Sequence, residues 1–169
     1  MDTGASASGF SSEPWSFSFE TRLGADAAAV WAHAVSIEGV NRELAPLARM
    51  TAPPGLRRLD GSDLVLGQRL LRSWILAFGV LPIDYDDLTL VELEPGRRFL
   101  ERSPMLSQRL WQHERTVDPI PGGCVVRDTV HFEPRLRWLG YLQLPVFRLV
   151  FANRHRRLAR IFGAARSGG

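Results

Sequence analysis

The chain has 169 residues, of which 45% are hydrophobic and 23% charged, and a net charge of +3. Those values suit one globular domain with its own core, and no apolar run approaches the roughly eighteen residues that span a bilayer. Every basic residue is arginine and the one cysteine is Cys124, which excludes Schiff-base and phosphate-loop lysines, an internal disulfide and a cysteine-based metal cluster within the chain.

Residues 1–13 are polar and rich in Gly and Ser, with no basic stretch leading into an apolar one. They read as a flexible tail rather than a secretory signal, and the expected compartment is the cytoplasm. Residues 14–163 read as a single domain, followed by a second flexible tail over 164–169.

From Trp15 to Leu23 the side chains alternate. Trp15, Phe17, Phe19, Thr21 and Leu23 share one side, the signature of a half-buried strand. Asp26 is placed to cap a short helix with Val30, Trp31 and Ala34 on its inner stripe. After a break near Gly39, NRELAPLARM suggests a second short helix interrupted at Pro46, and residues 48–52 suggest a brief strand. From Leu64 onward the chain reads as strands: LVLGQRLLRSWILAF, DLTLVELE, RRFLERS, QRLWQHERTV and CVVRDTVHFEP, separated by turns at Pro95-Gly96 and PIPGG. From Leu144, the apolar Phe147, Val150, Phe151, Leu158, Ile161 and Phe162 recur at helical spacing. Pro145 is expected in the first turn and Gly163 at the C-terminal stop. The order of strand, two short helices, about six strands and one long helix is an α+β pattern.

These segments carry a resemblance. The first strand followed by DAAAVWAHAVSIEGVN, then FGVLPIDYDDLTLVELEPG, RFLERS, LWQHERTV and VVRDTVHFEP before the final helix, resemble the START-like or SRPBCC superfamily, in an uncharacterised bacterial branch. The resemblance spans about Trp15 to Phe162. It implies the helix-grip fold, a curved seven-stranded antiparallel sheet around the C-terminal helix with a ligand cavity between them. It does not fix a function, because that fold hosts carriers, cyclases and receptors.

Strand alternation then assigns faces. Val126, Val130 and Phe132 share a side with Asp128, which turns that carboxylate inward. In the preceding strand aromatic content assigns Trp111, His113, Arg115 and Val117 to the inner row. In RRFLERS an inward Phe99 brings Glu101 and Ser103 with it. Glu101, His113, Arg115 and Asp128 should therefore share one concave surface. A buried carboxylate needs a partner, and Arg115 can satisfy one bidentately while His113 bridges to another acid or a ligand. Two readings follow: an ion-pair network tying strands together beneath the helix, or the polar floor of a greasy pocket. The expected walls are Phe17, Phe19, Trp74, Phe99, Trp111, Val126, Val130 and Phe132, with Phe147 and Phe151 as the lid. Phe78 is a further wall candidate, and His33 is read as a solvent-facing or core residue. Asp84, Tyr85, Asp86 and Asp87 lack calcium-loop spacing and read as a solvated loop. Cys124 reads as a small hydrophobe.

The chain has no nucleophile-elbow, dinucleotide-binding, zinc-protease or paired-cysteine motif, so no cofactor or metal is expected. The leading function is binding or carriage of a small apolar ligand such as a lipid, polyketide or isoprenoid. The alternative is a polyketide cyclase or dehydratase with His113 or Glu101 moving protons. A third reading uses the C-terminal segment, where eight arginines and no acid follow residue 134, as an interaction module. Outward arginines are more simply a solvated face, so neither nucleic acid nor membrane contact is expected. The chain is expected to be a monomer or homodimer.

Overall fold

The computed structural model describes residues 15–61 and 64–165. The expected tail over 1–13 lies outside the described residues. Of the expected C-terminal tail, Ala164 and Ala165 are described, and the Ala165 N–H donates to the Arg22 carbonyl at 3.3 Å.

The alternating segment forms strand β1 (Trp15–Leu23). Helix α1 (Ala27–Ala34) is capped by Asp26, whose Oδ1 accepts from the Ala28 N–H at 3.3 Å, and it buries Val30, Trp31 and Ala34. Helix α2 (Ile37–Leu44) runs through Gly39 instead of breaking there, with Ser36 Oγ as its cap at 2.9 Å. A Cβ at Gly39 would stand 2.0 Å from the His33 carbonyl oxygen. The glycine thus permits close contact of consecutive helices rather than ending one. α2 stops before Pro46, as the helix-averse residue preceding a proline requires, and β2 (Ala48–Met50) follows.

The remaining strands are β3 (Arg69–Ala77), β4 (Leu81–Glu94), β5 (Arg98–Ser103), β6 (Gln108–Ile120) and β7 (Gly123–Pro134). All seven form one antiparallel sheet in the order β1-β7-β6-β5-β4-β3-β2. The α+β helix-grip architecture expected from the sequence is the observed one.

The sequence reading placed β4 too late. The segment from Leu81 to Asp87, expected as a turn and solvated loop, is the first half of that strand, with Asp84 and Asp86 buried. Asp87 points the other way, and Arg72 on β3 donates to both of its oxygens at 2.7 Å. Carboxylates are poor strand formers in isolation, and here a cross-strand arginine compensates.

Helix α3 (Leu139–Phe162) begins five residues earlier than expected, so Pro145 lies inside it rather than in its first turn. The helix starts against Trp15, because a Cβ at Gly140 would meet the indole at 2.6 Å. Its inner side buries Phe151, Arg154, His155 and Leu158. It lies along β1 and β7 and against α2. No described helix is long and apolar enough to cross a membrane.

Candidate ligand site

The period of two on β5, β6 and β7 brings Glu101, His113, Arg115 and Asp128 to the inner face, where all four are buried. Arg115 and Asp128 are register partners. Arg115 Nε donates to Asp128 Oδ1 at 2.7 Å, and Nη2 donates to Oδ2 at 2.6 Å. The same guanidinium reaches Glu43 on α2, with Nη1 to Oε1 and Nη2 to Oε2 both at 2.9 Å. From α3, Arg154 Nε also donates to Glu43 Oε2 at 3.0 Å. His155 Nε2 lies 3.0 Å from Asp128 Oδ2, and its Nδ1 lies 2.8 Å from Thr21 Oγ1. His113 Nε2 completes the set, 2.8 Å from Asp128 Oδ1. One buried network therefore ties β1, β6 and β7 to both α2 and α3.

Burial alone would push Asp128 toward its neutral form. The Arg115 guanidinium and the His113 ring outweigh that cost and hold the carboxyl well below the usual range. Glu43 is likewise lowered, because Arg115 and Arg154 together overcome its desolvation. For His113, burial lowers the pKa, but hydrogen bonding to Asp128 and the nearby Glu101 carry it above its ordinary value.

Beside this network lies a cavity of about 330 Å³, within the range of small-molecule sites. Its walls are the α2 side chains Ile37, Val40 and Leu44, the β3 and β4 side chains Ile75, Leu88 and Leu90, and Val150 on α3. Its described polar liners are Asp86, Glu101, His113 and Arg154. Exposed apolar side chains stand at its edge: Phe78 after β3, Ile83 on β4, and Val146 and Leu149 on α3.

Among these liners Asp86 stands apart. It is 4% exposed, and its Oδ1 is buried without a hydrogen-bond donor among the described residues. Burial and the adjacent Glu101 carboxyl raise Asp86 well above the ordinary aspartate value. Glu101 moves the other way despite its burial, because His113, the Ser103 hydroxyl and Asp86 all favour its anion. Ser103 Oγ donates to Glu101 Oε1 at 2.8 Å, and His113 Nδ1 lies 3.6 Å from Oε2. Asp84, two residues away, is tied elsewhere: its oxygens accept from the Ser107 N–H and hydroxyl. Among the described residues no group of three His, Cys, Asp or Glu side chains is arranged to hold a metal.

The expected pocket residues divide by position. Phe99, Glu101, Trp111, His113, Phe147 and Phe151 line the cavity. Phe17, Val130 and Phe132 do not, because they form a filled core with Trp111, Met105 and Phe151, against which Phe19 packs. Val126 is not among the cavity's lining residues either and packs in a second core cluster with Leu23 and Leu158. Arg115 and Asp128 lie behind the cavity and not on its surface. Trp74, expected in the wall, is 47% exposed and stacks edge-on with Tyr85 on the outer face, because Ser73 and Ile75 take the inner positions of β3. The physical reason for the shift is the placement of α3. It covers β1 and β7 closely and fills that end, which leaves the open volume between α2 and strands β3 to β5.

Glu43, Arg154, His155 and Asp86 were missed by the sequence reading. Arg154 falls among the arginines read as a solvated face, Glu43 carries no pattern of its own, and only tertiary packing shows that they face one another. Asp86 carried a usable signal: continuing the β4 alternation backward from Leu90 and Leu88 places it inside. His33 lines α1 with Nε2 3.5 Å from Glu43 Oε1 and its ring edge-on to Phe162, and burial lowers its pKa.

Sheet, helices and intervening cavity together define a helix-grip fold. Solved structures share it. The protein CV1439 from Chromobacterium violaceum is 16% identical with a TM-score of 0.65, covering 89% of this chain and 99% of that one. An AHSA1-like protein from Aeromonas hydrophila is 18% identical with a TM-score of 0.59, covering 92% and 99%. DynU16, from the dynemicin biosynthetic locus, is 12% identical with a TM-score of 0.54, and this chain covers only 49% of its length. No curated protein matches the sequence. The model of a domain family of unknown function, DUF8410, matches residues 21–162, and the chain belongs to that family.

Proposed function

We propose that the chain binds a small, largely apolar ligand in the cavity between α2, α3 and strands β3 to β5, as a carrier or binding protein. The observation that carries this reading is the cavity of about 330 Å³, apolar except for four polar side chains. Transfer of an apolar molecule into such a site yields about 25 cal/mol for each square ångström removed from water. The polar liners would then set orientation. No cofactor is part of this reading.

Native mass spectrometry of protein freshly purified from cells tests it, together with titration of the neutral fluorescent probe N-phenyl-1-naphthylamine. The expected results are a retained small mass and saturable probe binding that is lost in Ala77→Trp, whose indole would fill the cavity edge. Absence of both retained mass and probe binding would sink the reading.

A second reading is supported by one observation, the grouping of Asp86, Glu101 and His113 on the cavity surface. An acid, a carboxylate and an imidazole are the parts of a proton-transfer site, as a cyclase or dehydratase of a polyketide-like substrate would need. Turnover of an aromatic polyketide substrate, lost in His113→Ala, would establish it.

A further inference from the structure

The Asp86 carboxyl is a hydrogen-bonding group that the protein itself leaves incomplete. It is more than nine-tenths buried, it lines the cavity, and its Oδ1 has no donor among the described residues. A buried polar group without a partner costs about 1–3 kcal/mol, so its persistence calls for an explanation.

Asp86 and Glu101 are neighbouring, hydrogen-bonded and buried carboxyls, and such a pair resists ionising together. Of the pair, Glu101 has the supporting partners, with Ser103 Oγ donating to it at 2.8 Å and the His113 ring 3.6 Å away. Among the described residues no arginine or histidine forms an ion pair with Asp86: Arg72, the neighbour of its register partner Ser73 on β3, is spent on Asp87 on the opposite face. The shared proton therefore stays on Asp86, which donates it to Glu101. That assignment leaves the second oxygen of Asp86 as a carbonyl-type acceptor without a donor, on a side chain that lines an apolar cavity. The group that completes such an acceptor is a neutral donor on the ligand.

Resting on the cavity reading above, we propose that the ligand is an apolar molecule bearing a hydroxyl group, and that this hydroxyl donates its hydrogen bond to Asp86. The apolar walls bury the skeleton, while Asp86 and the Glu101 carboxylate beside it select the hydroxylated form. Asp86 is a binding and specificity residue in this scheme, and no bond is made or broken.

The test uses 2-naphthol, 2-methoxynaphthalene and the 2-naphthylmethylammonium cation as probes, with dissociation constants read by quenching of tryptophan fluorescence. The wild-type chain should prefer 2-naphthol to 2-methoxynaphthalene by about tenfold, the value of one good hydrogen bond. Asp86→Asn should keep that preference, because its amide donates to Glu101 and its carbonyl still accepts. Asp86→Leu should lose it while binding 2-methoxynaphthalene as the wild type does. Circular dichroism melts of both variants establish that each is folded. Equal binding of the first two probes by the wild type overturns the proposal, as does loss of the preference in Asp86→Asn. Tightest binding of the ammonium cation also overturns it, since the carboxyl pair would then favour a cation over a hydroxyl. If 2-methoxynaphthalene binds but shows no discrimination, only the hydroxyl proposal fails; if no probe binds, the cavity reading fails with it.

Discussion

Arg115 on β6 donates two hydrogen bonds of 2.9 Å to Glu43 on α2, a residue 72 positions earlier, and both side chains are wholly buried. This one pairing joins the middle of the sheet to the short helix that walls the cavity. Arg115→Met would leave Glu43 and Asp128 as buried anions short of a cation. Breaking such a pair from one side costs about 3–5 kcal/mol. Urea denaturation of Arg115→Met should show a loss of that size, and a loss below about 1 kcal/mol would contradict the network's role.

The same network sets a pH dependence. Asp128 and Glu43 are held below their ordinary values of 3.8 and 4.5 by the arginines. Their contribution is therefore present above those values and is lost as pH falls through the lowered folded ones. His113 is raised above 6.5, so its contribution is present below that pH and is lost as pH rises through the folded value. Urea midpoints measured from acid to alkaline pH should trace a maximum between these limits. A profile still rising above neutrality would contradict the His113 pairing.

Asp86 works in the opposite direction to Glu43, Glu101 and Asp128. Its folded pKa lies well above 3.8, so the unfolded chain releases the proton first and stability declines as pH rises above that value. Asp86→Asn removes this penalty. At pH 7 the variant should be more stable than the wild type by on the order of 1 kcal/mol, with the gain shrinking toward pH 4. Thermal melts at the two pH values check this, and a variant less stable at pH 7 would argue that Asp86 is ionised.

Phe132 is fully buried between Trp15, Trp111 and Phe147, in the filled end of the molecule rather than at the cavity. Phe132→Ala should cost about 3–5 kcal/mol in chemical denaturation. Below its melting temperature it should leave N-phenyl-1-naphthylamine affinity unchanged. A fall in affinity without loss of stability would return Phe132 to the wall of the pocket.

Gly39 offers a test of helix packing against helix propensity. Alanine in an exposed helix interior gains about 1 kcal/mol over glycine, yet at Gly39 the new Cβ would meet the His33 carbonyl carbon at 2.8 Å and its oxygen at 2.0 Å. Gly39→Ala should therefore destabilise by about 1–3 kcal/mol. A stabilised variant would show that α1 and α2 separate easily.

Much of the architecture was legible in the sequence because it follows from local periodicity. The alternation in WSFSFETRL and VVRDTVHF assigns faces residue by residue, since a strand's side chains repeat every two positions whatever it packs against. The Asp26 cap and the apolar stripe through Phe151 and Leu158 are equally local signals. That is why alternation alone gathers Glu101, His113, Arg115 and Asp128 on one surface.

What tertiary structure alone decided is which end of that surface is open. The position of α3 over β1 and β7 turned Phe17, Val130 and Phe132 into solid core and moved the cavity toward α2, β3 and β4. No pattern along the chain encodes that choice, because it depends on the volume left between elements far apart in sequence. The partners of Arg115 show the same division. Alternation predicts Asp128, one strand away, whereas Glu43 and Arg154 reach the cluster from helices whose docking angles only the assembled molecule defines. The polar floor proposed from sequence thus becomes two structures of different character. Arg115 and Asp128 form a sealed ion-pair network, and Glu101 and His113 join Asp86 at the cavity surface, because burial depth is a property of the whole fold and not of the strand.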